Sequence, residues 1–195
     1  YAPRRNASAS LVPVMVYVHG GSFLNGGAAE DRLNATALVE RSGGALAVVV
    51  LQYRLGVFGF LASEALRNRS GDNATGNYGL QDQRLAIRFV REHAAAFGGD
   101  GDQLTIVGQS AGAASVSTHL VAPRSAGLYR RAAMWSGAFP DWAVATMPTQ
   151  QALFDQLAGS ACGGAVGASA LRKHRTGSTP TPCKTSRPAS DLRRR

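Results

Sequence analysis

Short apolar runs alternate with amphipathic or small-residue stretches from Pro13 to Trp135. Pro13 to Val18 is β-branched and reads as a buried strand, ending in the glycine-rich loop His19-Gly20-Gly21-Ser22-Phe23. Ala28 to Arg41 carries helical spacing through Leu33, Ala37 and Leu38 and is stopped by Ser42-Gly43-Gly44. Ala45 to Leu51 is continuously apolar, the mark of a central parallel strand covered on both faces. A long connection comes after Tyr53-Arg54, with Gly56, Gly59, Gly71 and Gly76 spread along it. Leu80 to Phe97 predicts an amphipathic helix. Leu80, Leu85, Phe89 and Val90 line its inner side, and Arg84, Arg88, Arg91 and Glu92 face outward. Gln103 to Val107 is the next strand, Ala113 to Val121 a helix of small residues, and Ala132 to Trp135 a further short strand. Alternation of this kind predicts an α/β fold with right-handed crossovers. In such sheets, active sites gather at the carboxyl ends of the strands.

The pattern fades after Phe154, the last aromatic residue; beyond Leu157 the large aliphatics are only Leu171 and Leu192. Residues 1–158 therefore read as the folded part and 159–195 as a tail that is either disordered or foreign to the domain. Charge supports the division. The chain carries +9, but the stretch from Leu171 onward holds eight Lys/Arg against one Asp, while the preceding residues hold 13 basic and 11 acidic groups. A nearly neutral body without a basic, aromatic-interleaved surface excludes a specific nucleic-acid partner as the first reading. No apolar run reaches membrane-spanning length. No metal-ligand spacing or cofactor motif stands out, so none is expected.

One turn carries chemistry. Gly108-Gln109-Ser110-Ala111-Gly112 lies between a strand and a helix, the context in which G-x-S-x-G is a nucleophile elbow. The tight turn would present the Ser110 hydroxyl at a helix amino terminus, where unpaired N–H groups can meet a developing oxyanion. His19-Gly20-Gly21 falls at another strand end and agrees with that placement. Four of the six asparagines, Asn6, Asn34, Asn68 and Asn73, stand in N-x-[ST] sequons. They favour a secretory-pathway or extracellular protein with N-glycans. Cys162 and Cys183 fit that compartment if paired, and fit equally well as two unrelated thiols.

From Phe97-Gly98-Gly99 through Leu104-Thr105-Ile106-Val107 to Gly108-Gln109-Ser110-Ala111-Gly112, the chain resembles the type-B carboxylesterase and cholinesterase-like family of α/β-hydrolases. The blocks Val14 to Gly21, Tyr53 to Phe60 and Gly76 to Gln83 extend the resemblance over about Tyr1 to Gly159. It implies an α/β-hydrolase fold with an incomplete, mostly parallel sheet and flanking helices. It also implies a carboxylic ester hydrolase acting on small-molecule esters through an acyl-enzyme. Ser110 would be the nucleophile, and the backbone N–H groups of Ala111, Gly21 and Ser22 the oxyanion hole. Ser22 stands where the family often has a third glycine, and Gln109 where it usually has Glu. Trp142 resembles a tryptophan near the acyl pocket and reads equally as a core aromatic. Arg54 and Asp82 resemble a structural ion pair.

The acid and base are not apparent. The family order is Ser, Asp/Glu, His, and after Ser110 the chain offers Asp141, Asp155 and Asp191 with His119 and His174. His119 lies in the helix that the elbow starts and would point away from the hydroxyl; His174 sits between Lys173 and Arg175 without an apolar anchor. His19 reads as a fixer of its loop. The expectation is a nucleophile-bearing portion of a serine esterase, inactive and marginally stable alone. The alternatives are a catalytically inactive cholinesterase-like binding or adhesion domain, and a dead fragment whose basic tail meets polyanions. Oligomeric state is not legible.

Overall fold

The computed structural model describes residues 1–3, 10–138 and 144–161. Its centre is a four-stranded sheet: β1 (Val12–Val18), β2 (Ala47–Leu51), β3 (Gly99–Gln109) and β4 (Arg131–Trp135). The strand order is β2-β1-β3-β4 and every neighbouring pair is parallel. Val18 pairs with Leu51 on one side and with Gly108 on the other, and Gln109 pairs with Trp135. The carboxyl ends of all four strands are therefore level, and the loops and turns that leave them share one rim.

The helices are α1 (Thr36–Arg41), α2 (Gly56–Phe60), α3 (Glu64–Arg69), α4 (Tyr78–His93), α5 (Ala111–Val121) and α6 (Met147–Ala161). Val12, Val14, Val16 and Val18 alternate on β1 and pack with Leu104 and Ile106 of β3, Ile87 and Val90 of α4 and Val116 of α5. A smaller cluster of Ala35, Val39 and Val48 collects Met15, Leu46 and Val50. Among the described residues, no helix is long and apolar enough to cross a membrane.

Several sequence expectations shift. Only Thr36–Arg41 of the 28–41 stretch is α-helical, preceded by a 3-10 turn at Asp31–Leu33. The 53–79 connection contains α2 and α3, and α6 has no counterpart in the hydrophobic pattern. α6 also runs to Ala161, across the 158/159 division. Ser63 caps α3 by accepting from the Leu66 N–H, a signal masked by the scattered glycines around it.

The inner stripe of α4 is the main correction. Its buried residues are Gly79, Gln83, Ile87 and Val90, whereas Leu85 and Phe89 are 56 % and 55 % exposed. Positions 83, 87 and 90 share one helical stripe, and 85 and 89 lie beside it along an open apolar groove with Val50, Leu51 and Phe97. A polar residue inside the stripe turns the sequence reading by part of a turn. Gln83 is tolerated there because both ends of its amide are hydrogen-bonded, to Ser115 and to His119.

Candidate active site at the strand rim

Ser110 joins β3 to α5 with φ 55° and ψ −120°, a backbone conformation that costs a non-glycine residue about 1–3 kcal/mol. The surrounding backbone imposes it. A methyl group on Gly112 would lie 2.0 Å from the Val18 carbonyl oxygen, and one on Gly108 would lie 2.2 Å from the Gly112 oxygen. Gly137 is held less tightly, its absent side chain facing the Ser110 carbonyl at 2.9 Å. The Ser110 N–H donates to the Trp135 carbonyl at 2.9 Å, and the Ala114 N–H closes the first helical turn on the Ser110 carbonyl. Ser110 occupies the N-cap position of α5, yet its hydroxyl caps nothing. The side chain is left for the rim.

The loop after β1 meets this turn. A methyl group on Gly20 would stand 3.2 Å from Ser110 Cβ and 3.0 Å from Gln109 Oε1. Gly21, Ser22 and Phe23 all have positive φ, at 113°, 55° and 60°. The carbonyls of this loop are held on the protein side. His19 O accepts from the Tyr53 hydroxyl at 2.8 Å, Gly20 O from His19 Nδ1 at 2.9 Å, Gly21 O from the N–H groups of Leu24 and Asn25, and Phe23 O from Gly56 N–H at 2.7 Å. Among the described residues, the N–H groups of Gly21 and Ser22 have no hydrogen-bond acceptor. The Ala111 N–H, first in its helix, has none either. Three backbone donors are thus unspent, one on the helix terminus that Ser110 begins and two on the loop whose Gly20 stands against Ser110.

His19 is fully buried and stacked on Tyr53, ring centroids 4.5 Å apart. Its Nε2 has no partner among the described residues. Burial pushes the Tyr53 hydroxyl well above its usual pKa, so it stays a donor to His19 O. No local pattern marks Tyr53 for this role, because the bond spans 34 positions.

The other two described histidines have partners of their own. His119 Nδ1 lies 2.9 Å from Ser125 Oγ and its Nε2 lies 3.1 Å from Gln83 Oε1. Burial first, then the Arg84 charge, lower its pKa to about 4 and keep it neutral at pH 7. His93 packs against Phe89 with the rings tilted, their centroids 4.5 Å apart. No described histidine hydrogen-bonds Ser110. His174, Asp141, Asp191, Trp142, Asn6, Cys162 and Cys183 lie outside the described residues, whereas Asp155 accepts from Gln151 Nε2 on α6. Arg54 and Asp82 form a two-pronged pair, Nε to Oδ2 at 2.7 Å and Nη2 to Oδ1 at 2.8 Å, which holds the Asp82 carboxyl below its usual pKa. It braces the segment between β2 and α2 to α4, with the Arg54 guanidinium 5.4 Å from the Tyr78 ring centroid.

Comparison with known proteins agrees with this geometry. The model of the carboxylesterase family matches residues 1–192. The juvenile hormone esterase of Tribolium castaneum is 43 % identical over 144 residues, 73 % of this chain and 23 % of that protein. The acetylcholinesterase of Leptinotarsa decemlineata is 45 % identical over 126 residues, 65 % of this chain and 20 % of that protein. A crystal structure of a Geobacillus stearothermophilus carboxylesterase superposes with a TM-score of 0.61 at 43 % identity, covering 68 % of this chain and 27 % of the other. The chain thus spans about a quarter or less of the curated relatives it matches. The parallel sheet with flanking helices is the α/β-hydrolase arrangement of that solved relative. On fold, rim geometry and a family match along nearly its whole length, the chain belongs to the carboxylesterase family.

Proposed function

We propose that the chain is the nucleophile-bearing part of a serine-dependent carboxylic ester hydrolase. The single observation that carries this reading is Ser110, held uncapped at φ 55° among the three unspent N–H groups of Ala111, Gly21 and Ser22. In the reaction, Ser110 Oγ attacks the ester carbonyl and passes its proton to a base. The carbonyl oxygen becomes an oxyanion that accepts from those N–H groups. Collapse expels the alcohol, with a proton, and leaves an acyl-serine for water to cleave. Each well-aimed donor contributes about 3 kcal/mol to the barrier reduction. The donors are backbone, so Ser22 serves in a position often held by glycine. Trp142 is assigned to the acyl side of the pocket, and small-molecule esters are the substrate class.

The test is active-site labelling. A fluorophosphonate probe should label the folded 195-residue chain at one position, and Ser110→Ala should abolish the label. A label that survives Ser110→Ala overturns the assignment.

We also place the protein in the secretory pathway, with glycans on Asn6, Asn34, Asn68 and Asn73. Asn34, Asn68 and Asn73 are exposed, which leaves room for them. Expression through a secretory host followed by peptide-N-glycosidase should shift the mass stepwise. An unmodified secreted product would refute this placement.

A further inference from the structure

A buried polar chain runs behind the candidate nucleophile. Ser125, His119, Gln83 and Ser115 are each at most 3 % exposed. Ser125 Oγ lies 2.9 Å from His119 Nδ1, His119 Nε2 lies 3.1 Å from Gln83 Oε1, Gln83 Nε2 lies 3.0 Å from Ser115 Oγ, and Ser115 Oγ lies 3.0 Å from the Ala111 carbonyl. The chemistry of the last link fixes all the others. A carbonyl only accepts, so Ser115 gives its proton to Ala111 and can only accept from Gln83. The Gln83 amide nitrogen therefore faces Ser115 and its oxygen faces His119. His119 must carry its proton on Nε2, which leaves Nδ1 to accept from Ser125. Every donor is used once and in one direction.

We infer that His119, Gln83 and Ser115 are positioning residues, a one-way relay that holds the Ala111–Gly112 peptide and through it the residue whose N–H follows Ser110. The inference rests on the ester-hydrolase reading for its purpose, not for its geometry. A helix start is ordinarily anchored by its N-cap side chain. Here the N-cap is Ser110, whose hydroxyl caps nothing. The first turn of α5 must be anchored from behind, and the relay ends on its first residue. Ser117 and Thr118 also bond back to carbonyls of their own helix. Ser117 also reaches Met134 Sδ at 3.2 Å, a weak acceptor, whereas Ser115 differs in receiving an amide N–H from Gln83 of a different helix, which fixes the direction of its hydroxyl. Gln83 in turn follows Asp82, whose carboxylate is clamped by Arg54. Consecutive residues of α4 thus tie the elbow inward and the turn after β2 outward. The neutral state of His119, favoured by its burial, keeps the direction of the relay at pH 7.

The full chain tests this in two independent arms. In the first, ¹⁵N spectra of the His119 ring should show the Nε2–H tautomer, and Gln83→Met should move the Ala111 carbonyl ¹³C signal. An Nδ1–H tautomer, or an unmoved Ala111 signal in a folded Gln83→Met chain, overturns the relay. In the second, Gln83→Met and Ser115→Ala should each slow fluorophosphonate labelling of Ser110 about tenfold, and the double variant should be no slower than either alone. Additive losses, or unchanged labelling in variants that unfold cooperatively, would reduce these residues to packing. If the label survives Ser110→Ala, the ester-hydrolase reading has failed, and there, as in a chain that takes no label, the spectroscopic arm alone decides the relay.

Discussion

Two junctions leave the same rim of the sheet, and they are built by different means. β3 passes into α5 through a single residue, Ser110, and the constraint there is backbone against backbone. Gly112 is pressed on the Val18 carbonyl and Gly108 on the Gly112 carbonyl. β1 instead passes into an open loop whose shape is set by groups from far along the chain. Tyr53 holds its first carbonyl, Gly56 N–H holds the carbonyl of Phe23, and Phe60 packs on the Phe23 ring at 4.8 Å. The elbow is thus fixed by shape exclusion, which no rotamer change can relieve. The loop is close-packed on its own turn, a methyl group on Gly21 lying 2.2 Å from the Asn25 oxygen, but it is tied to the rest of the fold by a few bonds of ordinary strength, each separable from the rest. Perturbing the first should cost the fold, and perturbing the second should cost the site.

Gly112→Ala gives the largest effect. Its methyl would lie on the Val18 oxygen, 2.0 Å away, and β1 and α5 would have to part. We expect about 3 kcal/mol or more of lost stability, read from urea unfolding by circular dichroism. Gly21→Ala, strained at φ 113° against its own turn, should cost about 1–2 kcal/mol while abolishing fluorophosphonate labelling. Equal losses of stability in the two variants would erase the distinction.

Titration of His119 comes next and reads the elbow side. Its pKa is about 4 in the folded chain and near 6.5 when unfolded, so the unfolded state binds more protons between those values. Stability is complete above about pH 6.5 and falls as pH drops toward 4, by about 3 kcal/mol from this group. His119→Phe should flatten that slope in urea midpoints measured across the window. A slope unchanged by the substitution would show that other groups carry it.

Tyr53→Phe keeps the stacking on His19 and removes one bond. We expect about 1–2 kcal/mol from the unsatisfied His19 carbonyl, with slower labelling of Ser110 as the loop loosens. A full loss of folding would mean that the loop is as structural as the elbow. The smallest effect has the opposite sign. Ser110→Gly should raise stability by about 1 kcal/mol, because glycine adopts φ 55° without strain. Its melting temperature, compared with that of Ser110→Ala, checks this. A lower value for the glycine variant would place the strain elsewhere.

Much of the elbow is legible in the residues alone. Gly108 and Gly112 around Ser110, after a β-branched strand, specify a turn that only small residues fit, and local sterics travel with local sequence. The β1 loop is legible in composition but not in support, since Tyr53 and Gly56 reach it across more than thirty positions. The buried link between Gln83 and His119 is not legible for a related reason, although His119 does point away from the hydroxyl as expected. A polar side chain in an apolar stripe looks like a boundary until its partners are known, and those partners lie 32 and 36 residues apart in sequence.

By itself, then, the sequence determined the alternation of strand and helix, the parallel sheet and the identity of the serine turn. These follow from periodicity and from glycine sterics, which act within a few residues. Only the tertiary structure decided which face of α4 is buried, that the loop after β1 stands against the serine turn, and that His119 is a buried neutral link. Each depends on hydrogen bonds and packing between segments whose separation along the chain carries no local signal.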